Sequence, residues 1–193
     1  MSETHTNSSA GPIGLVLIGG ESRRMGRDKA RLEYGGQPLY AVMRARLLAA
    51  GCAEVWLAGD RHGLPGLPDP EGFAGPLAGI ATAVARLPDG ARLLIVPTDM
   101  PRLSPELLGE LLSRRAAGAT RFGEYCLPLC LRVDATLRRL LEERAGRYGA
   151  EQSVSRLFAA LGGESLALPE DMAGQLANAN TPEEWARLME RTL

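Results

Sequence analysis

Between Leu17 and Lys29 the chain holds two adjacent glycines, Gly19 and Gly20, and four cations, Arg23, Arg24, Arg27 and Lys29, just past a short apolar run from Ile13 to Ile18. Glycines in such a place let backbone N–H groups approach a phosphate or a base with no Cβ in the way. Cations beside them neutralise charge that develops on a departing pyrophosphate. The combination suits triphosphate chemistry. It is neither a P-loop nor a dinucleotide fingerprint, because Lys29 does not follow Gly26 and no G-x-G-x-x-G occurs. The bland alternative is a Gly-Gly turn followed by a solvated basic stretch.

Two further places invite chemistry. Asp99 lies just past a second apolar run, Leu93 to Val96, in the setting Pro97-Thr-Asp99-Met-Pro101. A hard cation such as Mg2+ is held by one or two carboxylates together with substrate phosphates, and Asp99 fits that role; its alternative is an Asp that caps a turn. Gly75-Pro76 opens a helical pattern, and a helix start of this kind directs unpaired N–H groups at an anion.

The elements that must position these groups alternate short apolar runs with helical patterns. Strands are expected at 13–18, 54–58, 92–96 and 125–133, and helices at 38–50, 76–87, 134–144 and 152–161. Another helix opens at Ser104, as N-cap, and Pro105, and a last one at Thr181-Pro-Glu-Glu184. Repeated strand–helix units imply an α/β fold: one Rossmann-like three-layer domain with a mostly parallel sheet, and ligands at the carboxyl ends of the strands. Residues 1–12, rich in Ser, Thr and Asn, read as a disordered tail and 13–193 as a single domain. The Gly- and Pro-rich stretch Gly59 to Gly75 reads as a long functional loop, with surface slack as the alternative.

Composition bounds the rest. The chain has 193 residues, 45% of them hydrophobic, enough for a core, and a formal charge of -1 gives no electrostatic reason to expect nucleic acid or an acidic membrane. No apolar run approaches the length of a membrane span. Cys52, Cys126 and Cys130 have no zinc spacing; the Cys126–Cys130 pair reads as strand packing, and a reducing cytoplasm as the compartment.

The segment Leu17 to Lys29 resembles the L-x-G-G-x-S-x-R-M-G-x-D-K signature of molybdenum cofactor guanylyltransferases, within the wider nucleotidyltransferase family; Gly19, Gly20, Ser22, Arg24, Met25, Gly26, Asp28 and Lys29 fall in register. The resemblance implies the nucleotidyltransferase fold and transfer of GMP from GTP to the terminal phosphate of molybdopterin, with Mg2+ as cofactor. It implies that Leu17, Gly19, Gly20 and Lys29 bind the nucleotide, that Lys29 and Arg24 act on the phosphates, and that Asp99 holds the metal. It further implies nucleotide contact at Gly79, within the similar segment Gly75 to Gly79, and guanine recognition at Asp69, with Glu71 as rival. Asn178 and Asn180, in Asn178 to Glu183, correspond to acceptor-side residues; a carboxamide completing the Mg2+ shell and a plain helix cap are the alternatives. Protein partners implied are those that present the acceptor or insert the finished cofactor. Rival activities are cytidylyl transfer to the same pterin, transfer to a sugar phosphate, and nucleotide binding without catalysis. No general base stands out, since His5 is in the tail and His62 in a loop, and an ionised phosphate needs none.

Overall fold

The computed structural model describes residues 11–18, 32–59, 66–114, 117–147, 149–179, 181 and 183–186. The first strand, β1 (Ile13–Leu17), pairs in parallel with β4 (Glu54–Ala58) on one edge and with β5 (Arg92–Pro97) on the other. Backbone pairing already reaches Pro12, whose carbonyl accepts from the Ala53 N–H. A two-stranded hairpin, β2 (Glu33–Tyr34) with β3 (Gln37–Pro38), precedes α1 (Leu39–Ala49). After β4 comes α2 (Pro76–Arg86), and after β5 comes α3 (Pro105–Ser113). The Ser104 hydroxyl accepts from the Leu107 N–H at 3.3 Å, so the expected cap is in place.

The second half adds β6 (Ala119–Phe122), β7 (Leu129–Arg132), α4 (Ala135–Glu142), α5 (Val154–Ala160) and β8 (Glu164–Leu166). The six-stranded sheet has the order β4-β1-β5-β7-β6-β8, with β7 alone antiparallel to its neighbours among the described residues. Successive residues alternate between faces. Leu15, Leu17, Leu93 and Ile95 pack under α2, α4 and α5, while Val16, Leu94 and Val96 pack under α1 and α3. The expected three-layer, mostly parallel α/β architecture is the one observed. No described helix is long and apolar enough to cross a membrane.

One strand expectation needs correction, and two strands lie where none was expected. The strand expected over 125–133 is confined to Leu129–Arg132, so Cys126 is exposed in the β6–β7 connection while Cys130 is buried in the sheet. Neither β6 nor β8 was anticipated, because Arg121 and Glu164 interrupt their apolar character. Arg121 nevertheless lies 8% exposed, its guanidinium stacked 4.2 Å from the Phe158 ring centroid. Residues 1–10 of the expected tail fall outside the described residues.

Close approach of α2 to the sheet depends on one residue. A Cβ at Gly79 would meet the Ala58 Cβ at 2.6 Å and the Leu17 Cδ2 at 3.0 Å, inside the rigid core. Gly79→Ala is expected to cost about 1–3 kcal/mol from overpacking, partly offset by up to about 1 kcal/mol of helix propensity, read as a lower urea midpoint at unchanged slope.

The thiols make a second prediction. Burial pushes the Cys52 thiol up to about 12, with neighbouring Cys130 adding to the rise, and burial likewise raises Cys130 against the pull of the Arg92 guanidinium. A thiol raised in the folded state contributes stability that is complete below its unfolded pKa and is lost as pH climbs towards 12. At neutral pH one rapidly titrating thiol per chain, Cys126, is expected with an aromatic disulfide reagent, and all three after unfolding.

Candidate active site at the ends of three parallel strands

Leu17 ends β1, and the register sets it between Ala58 of β4 and Pro97 of β5. Three carboxyl ends therefore lie in one row, with the outer two separated by two strand spacings, about 10 Å. From β1 the chain passes to one side through α1 on one face, and α2 then crosses the other face to the opposite side. That reversal at β1 is where open α/β sheets bind ligands. The segment bearing Gly19, Gly20, Arg24 and Lys29 leaves the middle strand at this point and itself lies outside the described residues.

On the β4 side, Leu67 forms a parallel bridge to Ala58, and its N–H and carbonyl bond to Leu57 and Gly59. Asp69 follows two residues later and is exposed, as is Glu71. The chain then turns into α2 through Gly75, whose φ of +60° belongs to the left-handed region that favours glycine, with Pro76 in the first helical turn. The N–H of Ala78 is used by the Gly75 carbonyl. Gly79 is buried against Leu17 and Ala58, so what it demonstrably does is bring the helix down onto the strands that carry the site.

On the β5 side, Asp99 stands two residues past Pro97 and is half-buried. Its carbonyl accepts from the Ala179 N–H at 3.0 Å. This one bond ties the carboxyl-terminal segment to the end of β5 and sets exposed Asn178 beside the Asp99 loop. Two other contacts hold the same segment. The Gln175 side chain accepts from the Ser104 N–H at 2.8 Å, and Thr181 and Glu184 form a reciprocal capping box with both bonds at 3.1 Å. The expected start of the last helix at Thr181 is thus in place. Asn180 lies outside the described residues.

Leu17, Asp69, Asp99 and Asn178 are all brought to one end of the sheet. Among the described residues no group of three or more His, Cys, Asp or Glu side chains could hold a metal ion by itself. One carboxylate at the strand end is the donor set expected when a hard divalent ion draws its remaining ligands from substrate phosphates and water. Two anchoring residues, Thr82 and Gln152, had no signal in the sequence. The Thr82 hydroxyl donates to the Pro68 carbonyl at 2.8 Å, and the Gln152 carboxamide pairs with Gly72 and Ala74.

Residues 14–164 match the MobA-like NTP transferase domain. A molybdenum cofactor guanylyltransferase from Xanthomonas euvesicatoria is 38% identical over 176 residues, covering 91% of this chain and 93% of that protein. The molybdenum cofactor guanylyltransferase of Rhodobacter capsulatus is 34% identical over 187 residues, covering 92% and 95%. Among solved structures, molybdopterin-guanine dinucleotide biosynthesis protein A from Archaeoglobus fulgidus superposes with a TM-score of 0.75 over 93% of this chain and 98% of its own, at 19% identity, a likeness of fold. The chain belongs to the MobA-like NTP transferase family and is a nucleotidyltransferase of that class.

Asp99→Ala is expected to weaken binding of a divalent-cation–NTP complex by about tenfold or more, measured by titration calorimetry with and without the cation.

Proposed function

We infer that this chain transfers GMP from GTP to the terminal phosphate of molybdopterin. The observation that carries the inference is the row of strand ends, with an acid-bearing loop on either side of the segment that leaves β1. The relatives named as guanylyltransferases, aligned over nine-tenths of both chains, support the same acceptor and donor. The catalytic unit is taken as residues 13–193, working in the cytoplasm, with acceptor-presenting or cofactor-inserting proteins as its partners.

In this reading the triphosphate lies on the segment from Gly19 to Lys29. An oxygen of the acceptor's terminal phosphate attacks the α-phosphorus in line; the new P–O bond forms as the bond to the β-phosphate bridging oxygen breaks, and pyrophosphate leaves with that electron pair. Lys29 and Arg24 meet the negative charge on the phosphates, so that the transition state is favoured by charges already in place. Mg2+, held by Asp99 and substrate oxygens, supplies further neutralisation of the phosphates when bound. Asn178 and Asn180 orient the acceptor from the carboxyl-terminal segment, which is tied to the Asp99 loop. Because the nucleophile is already anionic, the chain needs only to hold the two substrates in line.

Base choice falls to the loop after β4. A carboxylate at Asp69 can accept from both the N1–H and the 2-amino group of guanine, a donor pair that cytosine does not present in that arrangement. Calorimetric titration with Mg2+ complexes of GTP, CTP, ATP and UTP is expected to give a preference for GTP. A preference for CTP would move the assignment to cytidylyl transfer to the same pterin, and absence of all binding would leave a protein without this activity. Lys29→Ala is expected to abolish transfer with the fold intact; undiminished turnover would remove the proposed role of the first loop.

A further inference from the structure

Asp69 and Glu71 sit on a short stretch of backbone that is fastened at both ends by groups from elsewhere in the chain. At its start, buried Thr82 of α2 donates its hydroxyl to the Pro68 carbonyl at 2.8 Å. At its end, the Gly72 carbonyl accepts twice, from the Gly146 N–H at 2.8 Å and from Gln152 Nε2 at 2.6 Å. Gln152 Oε1 in turn accepts from the Ala74 N–H at 2.7 Å, and Nε2 also donates to the Arg144 carbonyl at 3.3 Å. One side-chain amide thus engages a carbonyl and an N–H two residues apart, as a neighbouring strand would. The two backbones run in contact here: Gly72 has φ of +80°, and a Cβ on it would meet the Gly146 N at 2.9 Å.

These bonds add almost no apolar burial. Gln152 is only partly buried, and every partner it has in this cluster is main chain. What they accomplish is geometric. A carboxylate on an exposed loop, asked to accept two hydrogen bonds from one base edge, loses much of the gain to ordering the loop unless it is ordered beforehand.

We propose that Gln152 is a positioning residue for base selection, latching the 68–74 segment so that its acidic turn meets the guanine edge in a fixed place. The proposal rests on the reading above that this segment receives the base. It assigns selectivity to a residue on the far side of the loop that need not touch the nucleotide.

The test compares dissociation constants of Mg2+–GTP and Mg2+–ITP for the full chain and for Gln152→Ala, Gln152→Glu, Asp69→Asn and Glu71→Gln. ITP keeps the N1–H and lacks the 2-amino group, so the ITP-to-GTP ratio isolates the contact that depends on placement of the carboxylate. Wild type is expected to favour GTP by about tenfold or more. Gln152→Ala should bring the ratio down to about twofold, chiefly by weakening GTP. Gln152→Glu, which sets a carboxylate against the Gly72 and Arg144 carbonyls, should do the same. A retained ratio in both Gln152 variants, alongside its loss in Asp69→Asn or Glu71→Gln, overturns the latch and leaves the base reading standing. A lowered thermal midpoint with an unchanged ratio assigns Gln152 to stability alone and also overturns it. A ratio near one in wild type, or one unmoved by both acid substitutions, removes the base reading and the latch with it.

Discussion

Strand β1 is hydrogen-bonded along both edges and apolar on both faces, and that confinement sets the position of every group at the carboxyl end of the sheet. Val16 and Ile18 point into one layer and Leu15 and Leu17 into the other, all of them buried. A strand held in this way cannot slip by one residue without turning both sets of side chains over. Its last residue therefore stays level with Ala58 and Pro97, and the loops that follow all three strands emerge side by side.

The second half of the chain supports that row from outside. The reversed strand β7 starts α4 at the opposite end of the sheet, so the segment after α4 returns to the site end and meets the 72–74 backbone. Arginines fasten helix ends along the way. Arg138 of α4 donates to the Val84 and Leu87 carbonyls at the close of α2 and pairs with Asp89. Arg92 reaches the Leu111 and Leu112 carbonyls at the close of α3. Each places a cation beside carbonyls at a helix carboxyl end, which suits both their lone pairs and the helix dipole. Helix α2 is thus held by α4 at its far end, while the loop leading into it is held by the segment beyond α4.

The three parallel strands were legible because each is a compact, mainly apolar run closed by glycine or proline; β1 and β5 have the form of a strand buried on both faces, while the edge strand β4 is only partly buried. Ser104 was legible as a cap because a short hydroxyl before Pro105 has little else to do there. The reversal at β7 was not. Leu129 to Leu131 reads alike in either direction, and only the short 123–128 connection, useless for a parallel crossover, betrays it once β6 is seen. β6 itself was hidden by Arg121, whose cost of burial is met by Phe158 and by contacts to Ser155, Ser165 and Glu124 from separate parts of the chain. The hairpin over Glu33 to Pro38 has strands of only two residues each, too short for a periodic pattern, and Gly35 and Gly36 at its turn are its one local mark. The position of Asp99 was legible because it closely follows the buried run that forms β5. Gln152 was not, since it lies 80 residues from the carbonyl it holds and nothing local distinguishes it.

Anchoring the 68–74 backbone from across the fold has an evolutionary consequence. The segment that leaves β1, proposed to hold the triphosphate, belongs to one part of the chain, whereas the loop that follows β4 is anchored by Thr82, Gly146 and Gln152 in three others. Substitutions in those supports can redraw the loop without disturbing the parallel strands beneath it. Under the proposal that this loop selects the base, donor choice and transfer chemistry can drift independently, giving a lineage the means to diversify its nucleotide preference on an unchanged sheet.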